Sequence, residues 1–273
     1  MSSVNSKFNP LGQKSEYKDE YDPSLLFSIT REESWKSLGL KRDAVTFYGV
    51  DIWNGYEISW LNKKGKPIVL MAEFHIPASS PYLIESKSFK LYLNSFNQSQ
   101  FESKEEVLTL MSKDLSNAAG AGVKVIFHTL DTEFEKAPQA RCIDDLDIEI
   151  TSYQPDANLL QVTDKKHAGW VSSHLLKSNC PVTSQPDWGS LYIHYEGKEI
   201  EEASLLAYIV SLRQHEGFHE QCVEQIFHDI SHQCQPEKLT VYARYVRRGG
   251  LDINPFRSSE QEEKAVNFAL SRQ

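Results

Sequence analysis

The chain has 273 residues, with 38 acidic against 29 basic side chains and a net charge of −9, a balance that argues against a sequence-independent hold on nucleic acid phosphates. Its longest apolar runs, such as Ile68-Val69-Leu70-Met71-Ala72, are far too short to cross a bilayer, and the polar residues 1–7 lead into no apolar signal region. The four cysteines contain no Cys-x-x-Cys pair and suit a reducing compartment, so the expectation is a soluble, cytoplasmic protein with no membrane or nucleic acid partner.

Residues 1–45 are rich in Ser, Lys, Asp and Glu and read as an irregular arm. Tyr56, Ile58 and Trp60 then alternate with polar neighbours, Asn62-Lys63-Lys64-Gly65-Lys66 supplies a turn, and Ile68, Leu70, Ala72, Phe74 and Ile76 resume the period of two. That pattern predicts a long antiparallel hairpin. Phe89, Tyr92, Leu93 and Phe96 mark one helical stripe, and Ser103-x-x-Glu106 is a capping box ahead of Val107, Leu108, Met111 and Leu115, with Gly120 or Gly122 as the stop. Val123, Val125 and Phe127 alternate as a strand, and another strand is expected around Ile148 and Ile150 after the Asp144-Asp145-x-Asp147 turn.

The second half repeats that order. Leu191, Ile193 and Tyr195 give a strand; Leu205, Tyr208, Ile209 and Leu212, then Cys222, Val223, Ile226 and Ile230, give two helices; Thr240 to Tyr245 and Leu251 to Pro255 give strands about a Gly249-Gly250 turn. The repetition is one of pattern rather than residue identity. It predicts an α+β protein of two modules, 46–155 and 156–273, after the arm 1–45.

Four constellations carry candidate chemistry. Glu85-Ser86-Lys87-Ser88-Phe89-Lys90 enters a helix with Ser86 as N-cap and two lysines where cations oppose the dipole. Free backbone N–H groups with Lys87 and Lys90 would make an anion site, although a solvated face explains the lysines equally well. His215-Glu216-Gly217-Phe218-His219 reads as a zinc-hydrolase His-Glu-x-x-His only if Gly217 lies within a helix, where glycine is costly. If Gly217 instead marks a turn, His219 and Glu220 fall at a helix start, an imidazole and a carboxylate placed to meet a polar ligand. Arg247-Arg248-Gly249-Gly250 sets cations beside glycines that allow close approach to a phosphate, and no Gly-x-Gly-x-x-Gly competes with it. Finally, Cys180 stands seven residues before Asp187 on a proline-punctuated stretch, a thiol with a nearby proton carrier.

Together these stretches resemble a known family, the NADPH-dependent nitrile reductases that convert 7-cyano-7-deazaguanine to 7-aminomethyl-7-deazaguanine on the route to queuosine. Glu85-Ser86-Lys87-Ser88-Phe89-Lys90-Leu91-Tyr92 is similar to the family signature, and Ser178-Asn179-Cys180, Pro186-Asp187-Trp188-Gly189, Phe218-His219-Glu220 and Arg247-Arg248-Gly249-Gly250 follow in family order. The resemblance implies two tandem tunnelling-fold modules, each an antiparallel four-stranded sheet backed by two helices, assembled as a homodimer. It implies a covalent thioimide on Cys180, a proton from Asp187 for the nitrile nitrogen, and His219 as a later proton source. Glu85 and Glu220 would bind the substrate beside Ile84, Ser86 and His219, and Phe218 would exclude water. Ser86, Lys87, Lys90, Arg248 and Gly249 would contact NADPH, and no metal is implied.

Overall fold

A computed structural model of the chain describes residues 18–37 and 47–273. Among these, residues 18–33, 53–132 and 249–251 form one compact unit, and residues 34–37, 47–52, 133–248 and 252–273 form a second. The units interleave along the chain, whereas the sequence places boundaries after residues 45 and 155.

Strand β1 (Ser28–Thr30) of the first unit precedes helix α1 (Arg31–Ser37), which belongs to the second unit from Ser34 on, and β2 (Tyr48–Asn62), which belongs to the first unit from Trp53 on, forms the expected hairpin with β3 (Pro67–Pro77). Asn62 builds its turn: its carbonyl accepts from Gly65 N–H, and its side-chain Oδ1 accepts from the N–H groups of Lys64 and Lys66 at 2.9 and 3.0 Å. Strand β4 (Tyr82–Ile84) pairs with β1 and leads into α2 (Ser86–Ser95). The short β5 (Gln100–Phe101) runs parallel to β2, α3 (Lys104–Ala119) starts at the predicted Ser103 cap, and β6 (Lys124–His128) pairs antiparallel with β3. Alternate β3 residues such as Phe74 and Ile76 face the helices, and the Phe74 ring meets Phe89 of α2 edge-on at 5.0 Å.

The second unit runs β7 (Arg141–Cys142), β8 (Val162–Asn179), β9 (Pro186–Ile200), α4 (Glu202–Ser211), α5 (His219–Cys234), β10 (Lys238–Tyr245) and β11 (Leu251–Ser258). Strands β8 to β11 pair antiparallel in sequence order, and β7 lies parallel to β8. Leu191, Ile193, Val241 and Ala243 on one sheet face pack against Leu205, Ile209, Val223 and Ile226 of the helices. On the other face, Tyr192, Tyr242 and Phe256 are covered by Phe268 from the carboxy-terminal segment.

Two readings change. No strand forms around Ile148 and Ile150; the segment is irregular, and both side chains pack against the core of the second unit. Their alternation reports burial, not ladder pairing. Strand β8 was not anticipated, because Asp164, Lys165 and Lys166 break its apolar period and two register shifts, between Val162 and Lys166 and between Ser173 and Leu176, disrupt the alternation.

The repetition also extends to residue identity. In the first unit Tyr92 of α2 donates to Asp114 of α3 at 2.8 Å, and Ser95 Oγ donates to the Tyr92 carbonyl at 2.6 Å. In the second unit Tyr208 of α4 donates to Asp229 of α5 at 2.8 Å, and Ser211 Oγ donates to the Tyr208 carbonyl at 2.6 Å. Each serine oxygen also accepts from the N–H of an aspartate, Asp22 at 3.2 Å and Asp156 at 3.4 Å, that caps a short 3-10 turn. The same polar wiring therefore joins both helix pairs, at core positions where an unsatisfied hydroxyl or carboxylate would be costly.

Candidate active site

The first unit holds the signature residues. Ile84 is buried at the end of β4, and the Glu85 N–H donates to the Phe27 carbonyl at 2.8 Å, which pins the entry to α2. Glu85, not Ser86, is the N-cap: its two carboxylate oxygens accept from the N–H groups of Lys87 at 2.8 Å and Ser88 at 2.7 Å. Ser86 is the first helical residue. The expected anion site of free N–H groups is thereby corrected, since the Glu85 side chain already takes two of them. Of the two lysines of that expected site, the fold brings Lys90 beside Gly249: a Cβ there would lie 3.4 Å from Lys90 Cδ. Gly249 and Gly250 both have positive φ, +61° and +77°, a conformation that glycine adopts without strain.

Glu85 is 2 % exposed. Burial raises its pKa above the ordinary carboxylate value, and this outweighs the opposing pull of the Lys87 and Ser88 N–H groups and of the Lys90 and Lys87 charges. A raised folded-state value means that the ionised form disfavours folding once pH climbs past the unfolded value. Glu85→Gln is therefore expected to raise the unfolding midpoint at pH 7, with the gain vanishing below about pH 4. Thermal melts across that range check it, and a gain that persists in acid would contradict the assignment.

The second unit holds the thiol. Cys180 follows the last residue of β8 and is partly exposed. Its N–H donates to the Gln185 carbonyl at 2.9 Å, and its own carbonyl accepts from Ser184 N–H at 3.0 Å. This closes the loop between β8 and β9, so Cys180 is presented on a pinned turn. Cys222 and Cys234 differ: burial pushes each thiol up to about 11, which keeps both protonated at neutral pH.

Asp187 lies on β9 opposite Ser178, with a side chain only 4 % exposed. Its Oδ1 accepts from Arg248 Nη1 at 2.6 Å and lies 3.4 Å from His219 Nε2. Burial would push the carboxyl up, but the His219 bond and charge and then the Arg248 guanidinium outweigh it and hold Asp187 below the usual value. It is therefore ionised at neutral pH. The expected proton donor can give a proton only after it has taken one. His219 opens α5, and its ring stacks on Tyr245 of β10 at 3.8 Å, nearly parallel. Phe218 is the N-cap of α5, and Glu220, in the first turn, is 3 % exposed.

Because α5 begins at His219, His215 and His219 do not share a helix, and the His-Glu-x-x-His peptidase reading is overturned. His215 instead ends a 3-10 turn, and burial lowers its pKa. The carbonyl of His215 accepts from Asn179 N–H at 2.8 Å, and Gly217 N–H donates to the Asn179 carbonyl at 3.2 Å. These bonds tie the strand that delivers Cys180 to the segment that delivers His219.

A family model described as nitrile reductase, 7-cyano-7-deazaguanine reductase N-terminal, matches residues 17–127, and one described as QueF-like protein matches residues 186–264. The chain is 52 % identical over 268 residues to the NADPH-dependent 7-cyano-7-deazaguanine reductase of Azoarcus sp. (strain BH72), covering 97 % of this chain and 95 % of that protein. The chain belongs to the QueF nitrile reductase family.

The second unit contains Cys180, Asp187, His219, Glu220 and Arg248, of which Asp187 meets both His219 and Arg248, and the first contains Ile84, Glu85, Ser86, Lys87, Lys90 and Gly249. Two residues of the site escaped the sequence reading. Gln185 supplies both the carbonyl that anchors Cys180 and the side-chain oxygen that accepts from Arg248 Nη2. Tyr245 supplies the plane on which His219 rests. Neither belongs to a motif of reactive residue types, so only the turn and strand geometry reveals them.

Proposed function

We propose that this protein reduces the nitrile of 7-cyano-7-deazaguanine to the primary amine 7-aminomethyl-7-deazaguanine, consuming two NADPH, in queuosine biosynthesis. The observation that carries the reading is a partly exposed thiol, Cys180, on a pinned turn in the same unit as a buried, ionised carboxylate, Asp187. In the bond-forming step the Cys180 thiol gives its proton to Asp187, its sulfur bonds to the nitrile carbon, and one π bond of the nitrile becomes a lone pair on nitrogen. Asp187 then returns the proton to that nitrogen, leaving a neutral thioimide with the carboxylate restored. His219, on its Tyr245 platform, serves the nitrogen in the later step.

Glu85 and Glu220 each offer a buried carboxylate for the paired N–H donors of an aminopyrimidinone edge. Phe218, half-buried at the start of α5, shields the intermediate. Lys87, Lys90, Ser86 and Gly249 in the first unit, and Arg248 in the second, fit the anionic phosphates of NADPH: Lys90 lies against a glycine turn whose backbone no Cβ covers. When bound, NADPH supplies hydride. The reading includes two tandem tunnelling-fold modules, supported by the repeated Asp-Tyr-Ser-Asp wiring, and assembly as a homodimer.

Incubation with 7-cyano-7-deazaguanine without NADPH is expected to raise the protein mass by that of the whole ligand. Full turnover is expected to oxidise two NADPH per amine formed. An unshifted mass at saturating ligand would remove the covalent mechanism, and a ratio of one would contradict reduction to the amine.

A further inference from the structure

Arg248 is shared between two tasks. Its side chain is one-third exposed, and it donates from Nη1 to Asp187 Oδ1 at 2.6 Å and from Nη2 to the Gln185 side chain. Gln185 is also the residue whose carbonyl anchors the Cys180 N–H. One guanidinium therefore clasps the loop of the nucleophile and the carboxylate that serves it, a fork geometry that lysine cannot reproduce. The Asp187 contacts to Arg248 and His219 both fall on Oδ1, leaving Oδ2 with no hydrogen bond among the described residues. Oδ2 is thus the atom free to take the thiol proton.

We infer that Arg248 is a positioning residue for carbon–sulfur bond formation, acting through Asp187 and Gln185, and that an anionic phosphate of the dinucleotide competes with Asp187 for it. The inference rests on the nitrile-reductase reading and adds a role for Arg248 in a step that needs no dinucleotide. With Arg248 on Oδ1, Asp187 is kept ionised and receives the Cys180 proton. With Arg248 drawn to a phosphate, the carboxyl holds a proton more readily, so it is ionised, and able to take the thiol proton, only at higher pH. The same arginine would thus couple cofactor arrival to the protonation state of Asp187. The other titratable groups facing Asp187 are Lys177 on β8, Tyr245 on β10, and His219 and Cys222 on α5. Of these, Tyr245 and Cys222 stay neutral at neutral pH because burial raises both, so Arg248, Lys177 and His219 are the groups that can bring positive charge to the carboxylate.

The test is the pH dependence of cofactor-free adduct formation, followed by stopped-flow absorbance and mass. Losing the guanidinium raises the pKa of Asp187, so a base that must be ionised works only at higher pH. For Arg248→Ala the acidic limb should move up by about one pH unit or more, the usual effect of an opposite charge at this distance, and the plateau rate should fall. Arg248→Lys should keep the limb near that of the unaltered protein while losing rate, and Gln185→Ala should lower the rate without moving the limb. NADP+ added to the unaltered protein should shift its limb towards that of Arg248→Ala; should that variant fail to fold, this shift decides the matter alone. Superimposed limbs and rates for Arg248→Ala and the unaltered protein, with only the KM for NADPH raised, would reduce Arg248 to a cofactor contact. If the unaltered protein forms no adduct, it is the nitrile-reductase reading that fails.

Discussion

Cys180→Ala is expected to give no mass adduct and to lower turnover by roughly 10^4-fold or more, the scale on which enzymes lose rate when a covalent nucleophile is removed. The structure supplies the contrast. Cys222 and Cys234 are held as thiols near 11 by burial, so neither can substitute. Cys222→Ala should accordingly keep the adduct, at a cost in stability set by the small cavity left in the core. Peptide mapping after ligand incubation distinguishes the outcomes: modification of any cysteine other than Cys180 would overturn the assignment. Cys180→Ser is the stricter variant, because it keeps the shape of the turn closed by Gln185 and Ser184 and changes only the nucleophile.

The largest expected effect on stability lies elsewhere in the second unit. Arg257 on β11 is fully buried and pairs with Asp51 at 2.7 Å and with Glu224 of α5 at 2.7 Å, both only 1 % exposed. Its Nη1 also donates to the Phe256 carbonyl at 2.9 Å, and Trp35 Nε1 donates to the other oxygen of Glu224 at 3.1 Å. Arg257→Leu leaves two buried carboxylates without their cation and is expected to cost about 3–5 kcal/mol. For a chain of this size that is a fall of roughly 6–20 °C in Tm. Adding Asp51→Asn and Glu224→Gln to Arg257→Leu should recover much of the loss, because no buried charge then remains. A single variant that melts like the unaltered protein would show that water reaches the carboxylates.

Much of this was legible in the residues. The hairpin was visible because Asn62 to Lys66 breaks a clean period of two, and α3 because Ser103 and Glu106 announce its start. The reactive types Cys180, Asp187, His219 and Glu220 stood out by their chemistry. Other features could not be read. Strand β8 hides behind register shifts that scramble its period, and the Glu85 cap lies one residue from the serine that propensity favours. The ionised state of Asp187 depends on His219 and then on Arg248, the latter 61 positions away, a separation that no local pattern reports. The recurring wiring of the helix pairs was also missed, because its aspartate, tyrosine and serine residues are scattered among apolar positions and take meaning only as hydrogen-bond partners.

The backbone hydrogen bonds between Asn179 and the 215–217 segment carry a consequence for protein engineering. Loops between helices are the usual places to accept an insertion, and the stretch between α4 and α5 appears on a linear map as such a place. Here it is a bracket bolted to the strand end that presents the thiol. A linker, tag or circular permutation placed at residues 212–217 would be felt at Cys180, some 35 positions upstream, so a tolerant insertion site has to be sought elsewhere on the chain.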